Sequence, residues 1–222
     1  MSKKAICLFS GGLDSTTVLY HALNEGYEVF CLSFDYAQRH KRELEAAATI
    51  AKELKVKHKT VSIELPWGGS CLTDLSIDVP KHEEGSIGNE IPITYVPGRN
   101  IIFLSIAASW AEVVGADTLF IGANQLDYSG YPDCREDFLV AFEEMVNKGT
   151  KAGVEGEKIK VLAPLLFKTK VEIVQLAVSL GVPVDKTWSC YEGSDLPCGV
   201  CDSCLLRESA FQAIREKSIE HG

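Results

Sequence analysis

The chain has 222 residues, 46% of them hydrophobic and 24% charged, with a formal net charge of −9. That suits one globular domain with a sizeable core and at most a small appendage. The acidic balance counts against a dedicated nucleic-acid binder, whose affinity rests on neutralising phosphates, and no run of about 18 apolar residues is present to span a membrane.

Short apolar runs alternate with helical patterns. The start, MSKKAICLFSGG, has an apolar stretch that ends in a glycine loop. It is too short for a signal peptide and reads as a buried strand, Ala5–Ser10. A helix follows over Thr16–Glu25 and stops near Gly26. Glu28–Phe34 is a second strand. Arg39–Leu54, rich in Glu, Ala and Lys, is a long amphipathic helix. Lys57–Ile63 is a third strand. Ile101–Val114 is apolar nearly all round, which predicts a buried helix. Thr118–Ala123 is a fourth strand, Arg135–Asn147 a helix, Lys158–Pro164 a fifth strand, and Lys168–Leu180 and Leu205–Lys217 the last helices. The alternation predicts an α/β fold, a doubly wound parallel five-stranded sheet with helices on both faces. Ligands of such sheets bind at the carboxyl ends of the strands, near the point where strand order reverses. The chemistry is therefore expected on the loops after Ser10, Phe34 and Ala123. The segment 65–97, with its prolines and glycines, breaks the rhythm and is expected to be a cover over the site or part of a subunit contact.

SGGLDSTT joins the first strand to the first helix. Gly11 and Gly12 let backbone approach a phosphate, and the helix beginning near Asp14 offers unpaired N–H groups and the positive end of its dipole. Ser10, Ser15 and Thr16 add hydroxyls. Asp14 is acidic, so it either stands near a magnesium ion or caps the helix. Neither GxxxxGK[ST] nor GxGxxG is present, which excludes the common P-loop and argues against the dinucleotide fingerprint.

Of eight cysteines, Cys190, Cys198, Cys201 and Cys204 lie in CYEGSDLPCGVCDSC, while Cys7, Cys31, Cys71 and Cys134 are scattered. Four thiolates can close a tetrahedral Zn²⁺ shell, so a structural zinc ion is expected there. The rival is an iron–sulfur cluster. The other thiols are expected to be reduced, in a cytoplasmic protein.

The SGGLDS loop resembles that of the PP-loop ATP pyrophosphatases, which cleave ATP between the α- and β-phosphates and adenylate an oxygen of the acceptor. Further strings narrow the resemblance: FDYAQRH (34–40), TYVPGRN (94–100), ANQLDYSGYPDCR (123–135), PLLFKTK (164–170), TWSCY (187–191) and PCGVCDSCLLR (197–207). Together they are similar to the 7-cyano-7-deazaguanine synthase family of the queuosine-precursor pathway. The resemblance implies an adenine nucleotide alpha hydrolase-like fold, with a catalytic domain over residues 1–186 and a zinc-binding segment with the C-terminal helix over 187–222. It implies that 7-carboxy-7-deazaguanine, ammonia and ATP (with Mg²⁺) give the nitrile through an amide. A homodimer is the expected assembly, with no nucleic-acid or membrane partner. Competing readings are a tRNA-thiolating pyrophosphatase, disfavoured by the acidic charge, and a non-catalytic zinc module, which would leave SGGLDS without purpose.

The nucleotide is expected along Phe9, Ser10, Gly11, Gly12, Leu13, Asp14, Ser15, Thr16, Thr17, Val18 and Leu19, with Ser10, Asp14 and Lys168 as catalytic residues. Lys168, just after the fifth strand, is preferred over Lys170, which reads as a solvated charge. Arg99 and Asn100 open a buried helix, where a charge is costly unless it serves a ligand. A deazaguanine offers an N–H beside an amino group, which a carboxylate accepts together, so Asp127 or Asp133 is the expected partner. Tyr128 or Tyr131 would face the ring, and Arg99 or Arg135 would pair with the substrate carboxylate. The alternative for Asp133 and Arg135 is capping or pairing within the next helix. Arg39 and His40 either approach the nucleotide or open a solvated helix. Cys134 reads as a small buried thiol rather than a nucleophile.

Overall fold

The computed structural model describes residues 3–81, 91–125, 130–193 and 195–220. Five strands, β1 (Lys4–Leu8), β2 (Glu28–Asp35), β3 (Lys57–Ser62), β4 (Thr118–Phe120) and β5 (Lys160–Leu162), form one sheet in the order β3-β2-β1-β4-β5. All four pairings are parallel, with Ile6 opposite Phe30 on one side of β1 and Leu119 on the other. The chain winds outward from β1 to β3, then returns to the far side of β1. The strand order thus reverses between β1 and β4, where a crevice opens at their carboxyl ends.

The helices are α1 (Leu13–Asn24), α2 (Arg42–Leu54), α3 (Arg99–Val114), α4 (Glu136–Gly149), a single turn α5 (Lys151–Val154), α6 (Lys170–Ser179) and α7 (Asp202–Glu220). Side chains alternate across the sheet because a strand has period two. Ile6 and Leu8 of β1 face one core with Leu104 and Ala107 of α3 and Phe142 of α4. Ala5, Cys7 and Phe9 face the other, with Leu19 of α1, Ile50 of α2 and Ile173 of α6. Burial on both faces explains why β1 and β2 read as continuous apolar runs.

Three expectations need correction. Helix α3 is not buried all round: Asn100, Phe103, Leu104, Ala107, Ala108 and Ala111 are inside, whereas Ile101 and Val113 are 46% and 80% exposed. Its apolar composition covers one face and leaves an apolar outer surface. Helix α2 starts at Arg42 rather than Arg39, because Ala37 takes a positive φ of 58°. Arg39 then leaves the helix path, and its guanidinium donates to the carbonyls of Cys71 (3.2 Å) and Ile77 (2.7 Å). Strand β4 ends at Phe120, three residues early, as the chain turns through Gly122 into the crevice.

The described parts of segment 65–97 are anchored. Leu65 and Val96 join the main core, the Cys71 N–H donates to the Ile93 carbonyl at 3.0 Å, and Cys71 and Val79 pack against Cys190, Cys201 and Cys204. Residues 82–90 lie outside the described residues. The C-terminal segment shares a core with the sheet domain: Ala210 of α7 packs with Leu13, Val174 and Ala177. Among the described residues no helix is long and apolar enough to cross a membrane.

Candidate active site

The crevice at the strand-order reversal is a cleft of about 310 Å³, the size of a small-molecule site. Its floor is the loop after β1. Gly12 caps α1, and the loop holds its own shape through side chains. The Ser10 N–H donates to Ser15 Oγ (3.2 Å), the Gly12 N–H to Ser10 Oγ (3.2 Å), and Ser15 Oγ lies 3.1 Å from Ser10 Oγ. Of the expected nucleotide contacts, Phe9, Ser10, Gly12, Leu13, Asp14 and Ser15 line the cleft. Thr16, Thr17, Val18 and Leu19 are buried behind it. The Thr16 and Thr17 hydroxyls donate back to the Gly12 (2.7 Å) and Leu13 (2.8 Å) carbonyls, so they brace the helix start.

Gly11 serves packing. Its φ is +88°, and a Cβ there would lie 2.3 Å from the Glu43 carbonyl oxygen and 2.5 Å from the Ala47 nitrogen. Only a glycine lets the α2 backbone sit this close. Gly122 has a matching role that the sequence reading missed: a Cβ there would stand 3.2 Å from the Ser15 nitrogen.

Asp14 is neither the cap nor unpaired. Lys170 Nζ donates to both of its carboxylate oxygens, at 2.9 and 2.7 Å, and Asn124 Nδ2 donates to Oδ2 at 2.8 Å. The two charged side chains are each only 20% exposed, so screening is reduced and each charge-assisted bond counts for more. Lys170, not Lys168, therefore reaches the cleft. The Lys168 N–H donates to Leu165, and its carbonyl accepts from Gln125, which turns the chain so that Thr169 can cap α6.

On the opposite wall, Arg99 Nη1 donates to the Tyr36 hydroxyl at 3.2 Å. The Phe34 and Phe103 rings stack at 3.9 Å between centroids and 5° between planes, with Tyr36 tilted against Phe103. Arg99, Asn100, Tyr131 and Cys134 line the cleft, and the Tyr131 hydroxyl lies 2.8 Å from Thr94 Oγ1. Asp133 is buried outside the lining. Its Oδ2 accepts from the Asn100 backbone N–H at 2.9 Å, while Asn100 Nδ2 donates to the Asp133 carbonyl (3.2 Å) and to Cys134 Sγ (3.0 Å). Asp133 thus caps α3, a helix distant in sequence, and burial raises its pKa. Arg135 is exposed and outside the lining. Asp127 and Tyr128 lie outside the described residues. His40 lines the cleft, and burial lowers its pKa. Glu43, an acid of the amphipathic helix that no motif singles out, also lines the cleft. Burial pushes its carboxyl up to about 7, with Arg99 pulling it down and Asp14 pushing it up.

The four C-terminal thiols converge, with Cys190, Cys198, Cys201 and Cys204 Sγ all within 4.8 Å of one another. A tetrahedral Zn²⁺ with Zn–S of about 2.3 Å needs S···S near 3.8 Å, which small rotations reach. Burial works against ionising Cys198, yet the backbone N–H groups of Val200 and Cys201 bring its pKa down to about 7. That favours the thiolate a metal needs. Ser189, Tyr191, Ser203 and Leu206 of the same segment line the cleft, so the cysteine cluster supports one wall.

The family model described as "Queuosine biosynthesis protein QueC" matches residues 4–215. The chain belongs to the QueC family. Its relatives include the 7-cyano-7-deazaguanine synthase of Trichodesmium erythraeum, 55% identical over 95% of this chain and 96% of that protein. The 7-cyano-7-deazaguanine synthase 2 of Desulfitobacterium hafniense is 55% identical over 94% and 88%. These relatives form an ATP-dependent enzyme family. NMN synthetase from Francisella tularensis shares the fold at a TM-score of 0.50 and 16% identity, over 89% of this chain and 71% of that one. QueC membership bears out the resemblance seen in the motifs.

Proposed function

We propose that this chain converts 7-carboxy-7-deazaguanine and ammonia to 7-cyano-7-deazaguanine, adenylating first the carboxylate and then the amide. The observation that carries this, within the QueC family, is the cleft that joins the SGGLDS loop to the buried Arg99 wall. A carboxylate is a poor electrophile because hydroxide leaves badly. Transfer of AMP to its oxygen creates a leaving group, ammonia displaces it, and the amide oxygen is activated in the same way. One nucleotide site serves both steps. Catalysis is then mainly positioning and charge stabilisation.

The N-terminus of α1 and Ser10 receive phosphate, and Lys170 neutralises charge developing on pyrophosphate. Mg²⁺ would come bound to the phosphates, where it would neutralise their charge, and Asp14 is the carboxylate of the loop that would face it. Arg99 is the cation for the substrate carboxylate, and Tyr36 and Tyr131 offer faces for the ring. Asp133 acts only through Asn100. Cys190, Cys198, Cys201 and Cys204 would hold a structural Zn²⁺, which would fix the 187–222 segment against the cleft. What supports a homodimer is the apolar outer surface at Ile101, Val113, Val140 and Met145. What supports the cytoplasm is the kinship with biosynthetic enzymes of the QueC family.

The test is nucleotide analysis with purified protein, ATP, ammonium and the deazaguanine acid. AMP and pyrophosphate should accumulate only when the acid is present. ADP and phosphate as products would contradict adenylation.

A further inference from the structure

Among the described residues the Glu43 carboxylate is held by no hydrogen bond, although it feels the charge of Arg99. Glu43 is the second residue of α2, brought to the cleft wall because Gly11 lets the α2 backbone sit on the phosphate loop. Its Oε1 lies only 3.3 Å from where a Cβ on Gly12 would stand, directly beside the start of α1. Three of the charged groups around it are otherwise engaged. Asp14 of α1 is paired with Lys170 of α6. Arg99 of α3 donates to Tyr36. Arg39 holds the carbonyls of Cys71 and Ile77. His40 packs edge-on against Trp188, and its Nδ1 is buried without a hydrogen-bond partner among the described residues. Among the described residues no hydrogen bond or ion pair engages the Glu43 carboxylate. The plain alternative is an acid in the first turn of a helix, favoured by the dipole. That role is best served at an exposed position and does not draw the carboxylate into a cleft.

We propose that Glu43 is the catalytic base of this site, taking protons from nitrogen in both halves of the nitrile-forming reaction. The assignment rests on the function proposed above. In the first half, an ammonium N–H proton passes to the Glu43 carboxylate. The freed lone pair attacks the acyl carbon, the C–O bond to AMP breaks with its electron pair leaving on the phosphate, and the nitrogen, left with three hydrogens and a positive charge, gives up one more proton to become the neutral amide. In the second half, adenylation of the amide oxygen leaves a positively charged nitrogen carrying two hydrogens. Loss of one gives an imidate. Loss of the other, as the C–O bond breaks toward AMP, gives the nitrile. Glu43 accepts these protons and returns each to water through the open cleft. Its pKa of about 7 suits a base that must also give its proton back near neutral pH.

The experiment compares wild type, Glu43→Gln and Glu43→Asp as full chains with ATP, the deazaguanine acid and ammonium chloride from about pH 5 to 9. Wild-type nitrile formation should fall on the acid side with a bend near neutral pH. The Gln variant should lose about 10²-fold or more in rate and lose that bend. Any contribution from His40 persists in it. The Asp variant should keep the bend at a reduced rate. Exchange of pyrophosphate into ATP, measured with the acid and no ammonium, should stay within about threefold of wild type in the Gln variant, because adenylation needs no proton from nitrogen. The amide supplied as substrate should show the same loss as the acid. A Gln variant with the wild-type rate or an unchanged bend overturns the assignment. So does a Gln variant that loses pyrophosphate exchange in parallel, which would make Glu43 part of the nucleotide–magnesium site. Wild type that makes no nitrile overturns the proposed function, whereas wild type that makes it beside a matching Gln variant overturns the role of Glu43 alone.

Discussion

The backbone N–H of Trp188 donates to the carbonyl of Gly11 across 3.0 Å. This bond ties the phosphate loop to the segment that carries the four cysteines, and the Trp188 indole in turn donates to the Cys190 carbonyl at 3.0 Å. Arg207 of α7 closes the segment from its other side, donating to Thr187 Oγ1 at 2.7 Å and to Ser189 Oγ at 3.3 Å. A loosened cysteine cluster therefore reaches the loop. Cys201→Ser should lower metal content and thermal stability together, and should also weaken ATP binding although no cysteine of the cluster lines the cleft. Metal content, melting temperature and nucleotide titration check this. A metal-free variant with wild-type stability and ATP affinity would refute the coupling.

Lys170 and Lys168 make a matched pair two residues apart. Lys170→Ala removes the cationic partner of Asp14, so turnover should fall about 10²-fold or more. Lys168→Ala should stay within about threefold of wild type, the expectation for a side chain away from the site. Steady-state rates on both variants decide it, and equal losses would contradict the placement.

Asp133→Asn should act through the fold. Its carboxylate caps α3 at Asn100, and lost caps cost about 0.5–2 kcal/mol. The variant should unfold earlier in denaturant while its substrate KM changes little. Arg99→Ala should do the reverse, raising KM for the acid steeply. A large KM effect confined to the Asp133 variant would return that residue to the pocket.

The raised pKa of Glu43 makes a stability prediction independent of turnover. The folded carboxyl titrates at about 7, above the ordinary value of about 4.3 for an unfolded chain. The folded state therefore holds the proton more tightly. The stability linked to it is complete below the unfolded value and is lost as pH rises through about 7. Glu43→Gln, a neutral mimic, should be more stable than wild type at pH 8, by at most about 4 kcal/mol, with the gain vanishing toward pH 4. Denaturant melts of the ligand-free proteins at the two pH values test the sign.

The sheet was legible because burial on both faces writes β1 and β2 as apolar runs separated by amphipathic helices. The phosphate loop and the cysteine cluster were legible because each sits in one short stretch of chain. What escaped were relationships made by packing between distant segments. Lys170 meets Asp14 across 156 positions, Asp133 caps a helix 33 residues upstream, and Glu43 enters the cleft only because Gly11 admits the α2 backbone. Glu43 looked like any acid in a Glu-, Ala- and Lys-rich helix. Gly122, beside a strand end and facing the α1 backbone, carried the only sequence hint of close packing there.

The central claim is that this cleft makes a nitrile from a carboxylate by two adenylations, and mass analysis with ammonium carrying heavy nitrogen tests it most directly. With the deazaguanine acid and ATP, the product should be the 7-cyano compound with one labelled nitrogen. A transient labelled amide should precede it, and about twice as much AMP as nitrile should form, one for each oxygen activated. A product that stops at the amide, or AMP in equal amount to a nitrile formed without an amide, would contradict the account.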